Sequence, residues 1–485
     1  MGVLSELEPN KVFHFFEEIS AIPRGSRNTQ AVSDYLVQFA EDRDLNYKQD
    51  SKGNVIIFVP ATDGYEGAET VMLQGHMDMV CEKTASSKHN FSKDPLDINI
   101  IDDYIFARGT TLGADDGIAI AMSLAIVDST YVAHPPLELV FTVDEEVGMV
   151  GAKELDTSCL KAKTLINLDS EEEGVLLTSS AGGLIGKMSV PVKYQKKTGE
   201  NYKIIISGFT GGHSGKEIDK YRGNANIIMG RLLHFLGTRV GFNIISLSGG
   251  LMHTAIPRDA DCSVLISKED APSFEGLIQE FERTIKNEYR ANEHNISIYC
   301  NDMGELEENV LRKKTQERLI FLLNTVPDGV QKISQEEATV GLVQTSLNIG
   351  IMRLDETRFY LEGTIRSSIT SEKYALSDKL RYLSETIGGS YEEDGDYPAW
   401  EFNENSQIVT KARKIFKQLF GKEPKITGMH AGLECGIFYS KIKDLDIVSI
   451  GPDILDIHTP SEKLSISSTL RTWNYLITIL RSMQP

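Results

Sequence analysis

Apolar residues along the chain recur with two different periods, and the changes of period mark its organisation. NKVFHFFEEIS (10–20) and TQAVSDYLVQFAEDRDL (29–45) carry apolar positions at helical spacing. KGNVIIFVP (52–60) and ETVMLQG (69–75) are short apolar runs of strand character. DGIAIAMSLAIVD (116–128) predicts a long apolar helix. The strand LELVFTV (137–143), the short helix AKELDTS (152–158) and the strand KTLINLD (163–169) follow. Apolar strands separated by helices predict an α/β fold, a mostly parallel mixed sheet with helices on both faces.

The texture changes near residue 184. YKIIISGFTG, FNIISLSGG and DADCSVLIS read as strands, with helices at NANIIMGRLLHFLG and FEGLIQEFERTIKNEY. A second series has helices at TQERLIFLLNTV and EKYALSDKLRYLSETIG and strands at VQTSLNIGIMR and RFYLEGTIRSS. Two such runs predict an inserted α+β domain with two related halves. From about residue 400 the alternating style returns in QIVTKARKIFKQLFG, LDIVSIGP and SISSTLRTWNYLITILRSM. The expected organisation is a catalytic domain in two pieces, 1–183 and 400–485, interrupted by an inserted domain over 184–399.

Sites in open α/β sheets form outside the carboxyl ends of the strands, and here those ends carry acids and histidines. VMLQGHMDMV ends in His76-Met77-Asp78, and positions i and i+2 share one face of a strand. A carboxylate placed there can fix the tautomer of a metal-bound imidazole, although H-x-D alone also describes a surface histidine beside an acid. The turn RGTTLGADDG delivers Asp115 and Asp116 to the start of an apolar helix, where simple capping is the competing role. FTVDEEVG sets Asp144, Glu145 and Glu146 at a strand tip. Neighbouring strand residues point to opposite faces, so Glu145 and Glu146 are expected to have different tasks, with a turn permitted by Gly148. Asp169 ends the strand of LINLDSEEEG, and His458 lies in a loop after a C-terminal strand. Imidazole and carboxylate donors without thiolates suit Zn²⁺, Mn²⁺ or Co²⁺ in an open, catalytic site.

Charge narrows the partners. The net charge of −20 repels a duplex or an anionic membrane, so neither nucleic acid nor membrane is expected. The N-terminus carries acids early and predicts no signal peptide. Five cysteines (Cys81, Cys159, Cys262, Cys300, Cys435) without a C-x-x-C pair predict reduced thiols and a cytoplasmic location.

Taken in order, HMD, GADDG, DEEVG, NLDSEEEG, GGHSG and HAGLECG resemble the M20 family of di-zinc metallopeptidases, and most nearly its dipeptidase branch. The resemblance spans essentially the whole chain. It implies a zinc-peptidase core with an inserted lid and two zinc ions per chain, with cobalt or manganese as substitutes. His76 and Asp169 would hold one ion, Glu146 and His458 the other, and Asp115 would bridge them. Asp78 would orient His76, and Glu145 would be the general base. A cis peptide is expected between Asp115 and Asp116. In the lid, His213 would bind the developing oxyanion and Arg366 the substrate's C-terminal carboxylate. Thr254 stands where relatives usually carry Asn, and Gly432 and Glu434 fall in a substrate-side loop of the catalytic domain. The activity implied is hydrolysis of Xaa-His and other unblocked dipeptides by a zinc-activated hydroxide, with a homodimer as a possible assembly. The alternatives are another amidohydrolase of the same family (aminoacylase, deacetylase or carboxypeptidase) or a non-catalytic binding protein on the same fold.

Overall fold

The computed structural model describes residues 2–336 and 339–485. The chain divides into two units with separate apolar cores. The first comprises Met1–Ser180, Trp400–Gly428 and Leu433–Pro485, and the second comprises Ala181–Ala399 and Met429–Gly432. The crossings thus fall at 180/181 and 399/400. In addition, the short segment Met429–Gly432 belongs to the second unit, although the sequence reading kept it in the catalytic domain.

The first unit is built on an eight-stranded sheet. Its order is Asn46–Gln49, Val55–Val59, Leu137–Thr142, Val71–His76, Thr164–Asn167, Asp446–Ser449, Val175–Ser180 and Lys425–Met429. The four central strands, Leu137–Thr142 through Asp446–Ser449, run parallel. Val55–Val59 and Val175–Ser180 flank them antiparallel. Val71–His76 and its neighbour Leu137–Thr142 are buried at every position. That is why their sequences are continuous apolar runs rather than alternating ones. The helix Ala114–Asp128 is apolar all round and buried from Ala114 to Ile126, a core helix rather than an amphipathic one. The amphipathic helix Asn10–Ser20 packs its phenylalanine face against it.

The second unit carries a nine-stranded antiparallel sheet. Its main path is Ser297–Leu311, Tyr194–Ser207, Ala260–Ile266, Phe242–Gly249, Val343–Leu354, Arg358–Ser367, Gly182–Pro191 and Ser390–Tyr397. The two strand-and-helix runs of the sequence share this one sheet. Within the sheet they pair at Ser248 with Arg353 and Gly249 with Met352. Three strands of this path, Gly182–Pro191, Ser297–Leu311 and Ser390–Tyr397, were not foreseen. The last two lie at the ends of the main path, and most of their residues are exposed and many are acidic. Acidic side chains on an edge discourage pairing with another chain and erase the apolar alternation that marks a strand. All five cysteines are free thiols, and no described helix is long and apolar enough to cross a membrane.

One acid in the second unit gives the fold a pH dependence. Asp328 accepts hydrogen bonds from Asn224 Nδ2 at 3.0 Å and the Ile349 amide at 2.9 Å. Removal from water nevertheless pushes its pKa up to about 7. The folded value lies above the unfolded one, so this group's stabilising effect is full below about pH 4 and is lost as pH rises through 7. Asp328→Asn keeps an acceptor for both donors and cannot ionise. Urea unfolding between about pH 5 and 8 should therefore show a flatter profile for the variant than for the parent. Parallel profiles would refute this account of Asp328.

Candidate metal centre

The parallel strands of the first unit bring the predicted residues to one sheet edge. His76 is the last residue of its strand, and Asp169 lies two residues past Thr164–Asn167. Asp115 and Asp116 occupy the first turn of the apolar helix, where the backbone is non-helical (φ/ψ −79°/105° and −116°/35°) and the peptide between them is cis. Gly113 precedes them at φ 65°. A Cβ there would lie 2.6 Å from Arg24 Nη2 and 2.7 Å from Met79 Sδ, so the turn admits no side chain.

The distances describe one bridging acid. His76 Nε2 lies 3.0 Å from Asp115 Oδ1 and 3.7 Å from Asp169 Oδ1. His458 Nε2 lies 3.2 Å from Asp115 Oδ2 and 3.0 Å from Glu146 Oε1. Each oxygen of Asp115 therefore faces a different imidazole. Three sets of donor atoms gather within 4.8 Å of one another: His76, Asp116 and Asp169; His76, Glu145 and Glu146; Asp115, Glu146 and His458. The first set brings in Asp116, for which the sequence offered no role. Its Oδ2 accepts from the His76 amide at 3.2 Å, and its Oδ1 is buried without a hydrogen bond.

The acid-rich strand tip turns earlier than expected. Gly148 has the positive φ foreseen for it, 114°, but the chain already enters the left-handed region at Asp144, with φ 54°. Asp144 Oδ1 accepts from the Arg27 amide at 2.5 Å. The Glu145 carbonyl then closes the turn by accepting from the amides of Gly148 and Met149. Asp78 does more than orient His76. The nearer partner of His76 Nδ1 is the Asp78 carbonyl at 3.1 Å, with the Asp78 carboxylate at 3.4 Å. That carboxylate also accepts from the amides of Glu145 and Glu146 at 3.0 and 3.3 Å and from Ser26 Oγ at 2.8 Å. One buried acid thus ties two strand ends together.

Two further residues were invisible to sequence reasoning, as were the surroundings of a third. Glu462 is buried and receives the amides of Leu112, Gly113, Ala114 and Asp115 at 2.8, 3.0, 2.8 and 3.4 Å. Arg24, also buried, donates to the Met77, Asp78 and Gly113 carbonyls. Neither sits in a recognisable pattern. Glu462 is one acid in a polar loop four residues past His458, and only the fold reveals the amides it meets. The third is Glu434, expected to touch substrate. Its side chain is wholly buried and accepts from Gln74 Nε2 at 2.5 Å and Thr142 Oγ1 at 2.6 Å, two residues on the strand face that His76 shares.

Electrostatics sets the chemistry of this cluster. Burial, then repulsion from Glu434, Glu146 and Asp115, pushes Glu145 up to about 8. Burial and Asp116 hold Asp169 well above the ordinary carboxylate range, and burial does the same for Asp116. Hydrogen bonds to Asp115 and Glu146 raise His458 to about 10. A set of buried oxygens this dense lacks positive charge, and the donors are hard carboxylates and imidazoles with no thiolate among them. They fit divalent cations such as zinc, manganese or cobalt.

The remaining predicted residues lie in the second unit. His213 Nδ1 accepts from the amides of Gly215 and Lys216, both at 3.1 Å. The ring nitrogen that carries the proton is therefore Nε2, and the side chain is exposed. Partial removal of the ring from water, then Arg366 and Lys216, lower its pKa and keep it a neutral donor. The Thr254 carbonyl accepts from the Ser214 amide at 2.8 Å, so its main chain steadies the His213 turn. Arg366 is buried in its strand. Gly432 is partly exposed at the end of the segment Met429–Gly432.

A parallel α/β sheet that gathers two imidazoles and several carboxylates at its strand ends places the chain among the metallohydrolases. More narrowly, it belongs to peptidase family M20/M25/M40, whose family profile matches residues 72–482. The cytosol non-specific dipeptidase of Escherichia coli (strain K12) is 35% identical over 490 residues, covering 100% of this chain and 99% of that one. The crystal structure of aminoacylhistidine dipeptidase from Vibrio alginolyticus superposes with a TM-score of 0.92 at 34% identity, covering 99% of this chain and 98% of that one. Aminopeptidase PepT from Bacillus cereus ATCC 10987, at 16% identity and a TM-score of 0.57 over 99% of this chain and 100% of that one, shares the fold.

Glu462→Ala would strip an acceptor from four amides and leave Arg24 short of a buried counter-charge. Unfolding free energy should fall by roughly 3 kcal/mol. Denaturant unfolding checks this, and a loss within experimental error of zero would show that the loop holds itself.

Proposed function

We propose that the chain is a metal-dependent dipeptidase that hydrolyses Xaa-His and other unblocked dipeptides, carnosine-like ones included. The observation that carries this reading is Asp115, which turns one oxygen to each of two imidazoles inside a ring of carboxylates. The full-length likeness to a cytosol non-specific dipeptidase supports the substrate class. We assign two ions per chain, zinc in the first instance. His76 and Asp169 would hold one, Glu146 and His458 the other, with Asp115 shared. Bound divalent cations would polarise the scissile carbonyl and make water a stronger acid.

The chain's own groups do the rest. Glu145 stays off the metals as general base, accepts the proton of the attacking water and returns it to the leaving amine. A base needs a pKa near the working pH, and the burial that lifts Glu145 works in that direction. Asp78 fixes both His76 and the Glu145–Glu146 backbone, which keeps base and ligand in register. Carried by the inserted domain, the lid of this reading, His213 would donate its Nε2–H to the oxyanion. Arg366 would pair with the free C-terminal carboxylate, a planar fork suited to that group.

Glu145→Gln should keep its metal and lose nearly all turnover, on the order of a thousandfold or more. Glu146→Ala should instead lose metal, read by metal analysis of the dialysed protein. Normal activity in the first variant would sink the base assignment. A panel of carnosine, Ala-His, Gly-Gly, acetyl-amino acids and tripeptides, run with zinc, manganese and cobalt and again with chelator, tests the substrate class. Preference for acetyl-amino acids or for longer peptides would replace the dipeptidase reading with another amidohydrolase of the family.

A further inference from the structure

Four adjacent strands of the second unit each contribute one residue to a row that contains Arg366. Ser346 pairs with Arg366, Arg366 with Gly183, and Gly183 with Tyr397. Tyr397 is two strands away from Arg366, yet its hydroxyl accepts a hydrogen bond from Arg366 Nη1 at 2.7 Å. The ring reaches across because the strand between them carries glycine. A Cβ on Gly183 would stand 2.4 Å from the Tyr397 hydroxyl oxygen and 2.6 Å from its ring carbon. On the opposite side Ser346 Oγ meets His430 Nε2 at 2.7 Å.

The charge in this row is unusual. Arg366 is buried, yet no described acid lies within ion-pair distance of it, and its Nε has no hydrogen-bond partner. Burial of His430, then the Arg366 charge, depress that imidazole to about 3, so it is neutral beside the guanidinium. A buried cation is ordinarily paired with an acid. This one has a phenol instead, which orients it without neutralising it. Tyr397 is itself anchored. Its carbonyl accepts from the buried Lys373 Nζ at 2.8 Å, and Asp396 neutralises that lysine.

We infer that Tyr397, with Gly183 as the gap it crosses, is a positioning residue that aims the Arg366 guanidinium at the carboxylate of a peptide's C-terminus. This rests on the reading of Arg366 as the carboxylate clamp. An acid in place of Tyr397 would fill the arginine's charge internally. An apolar residue would let the fork swing and lose its bidentate geometry.

The test compares dipeptides with a free C-terminal carboxylate against the same dipeptides amidated there, in the metal-loaded full chain. The readout is the ratio of kcat/KM for acid over amide. Tyr397→Phe should lower that ratio about tenfold through KM, as expected for one hydrogen bond to a charged group. A general loosening of the fold lowers both substrates together and leaves the ratio unchanged, so an unchanged ratio overturns the inference. Arg366→Gln should bring the ratio close to one. If Arg366→Gln keeps the preference, the carboxylate reading falls and this inference with it. If Arg366→Gln abolishes the preference and Tyr397→Phe leaves it intact, the inference alone falls.

Discussion

Everything near the sheet edge answers to one electrostatic constraint, the crowding of buried carboxylates. Asp115, Asp116, Glu145, Glu146 and Asp169 contribute donor atoms to overlapping sets that reach only 4.8 Å across. Removed from water, such groups repel one another strongly and would rather be neutral. The fold keeps them together by surrounding them with fixed donors. Imidazoles face Asp115, backbone amides face Asp78 and Glu462, and side-chain donors face Glu434. The charge imbalance that remains is what suits the site to cations.

Those fixed donors are mostly main chain, and this explains the local sequence. An amide cannot be placed without shaping the backbone. The glycine-rich approach to Asp115 and the left-handed Asp144 are consequences of that demand. Each acid that accepts amides also joins two segments distant in sequence. Asp78 joins the end of one central strand to the turn after its neighbour, and Glu462 joins the loop before the core helix to the C-terminal loop.

The sequence revealed the parts of this design that repeat a simple pattern. Continuous apolar runs marked the central strands, helical spacing marked most of the helices, and acids or histidines after those runs marked the site. Ser297–Leu311 and Ser390–Tyr397 escaped because exposed acidic edges carry no apolar period. Arg24 and Glu462 escaped because their partners are carbonyls and amides, groups common to every residue and therefore silent in sequence. The surroundings of Glu434 were silent for a related reason. A motif identifies a residue without saying which way its side chain faces, and this one lies buried against Gln74 and Thr142. The segment Met429–Gly432 went to the wrong unit because four residues are too few to carry a pattern of their own.

The position of Asp446–Ser449 has a consequence for how the protein is made. It is an interior strand, seated between Thr164–Asn167 and Val175–Ser180, yet it follows the whole of Ala181–Ala399 in the chain. On the ribosome the early strands emerge with a slot open in the middle of their sheet. The second unit, whose long stretch Ala181–Ala399 is contiguous, emerges long before that slot can be filled. Synthesis therefore leaves the sheet of the first unit unfinished until Asp446–Ser449 has been made, after the whole of Ala181–Ala399. During that interval the unpaired flanks of Thr164–Asn167 and Val175–Ser180 are the surfaces most in need of protection from other chains.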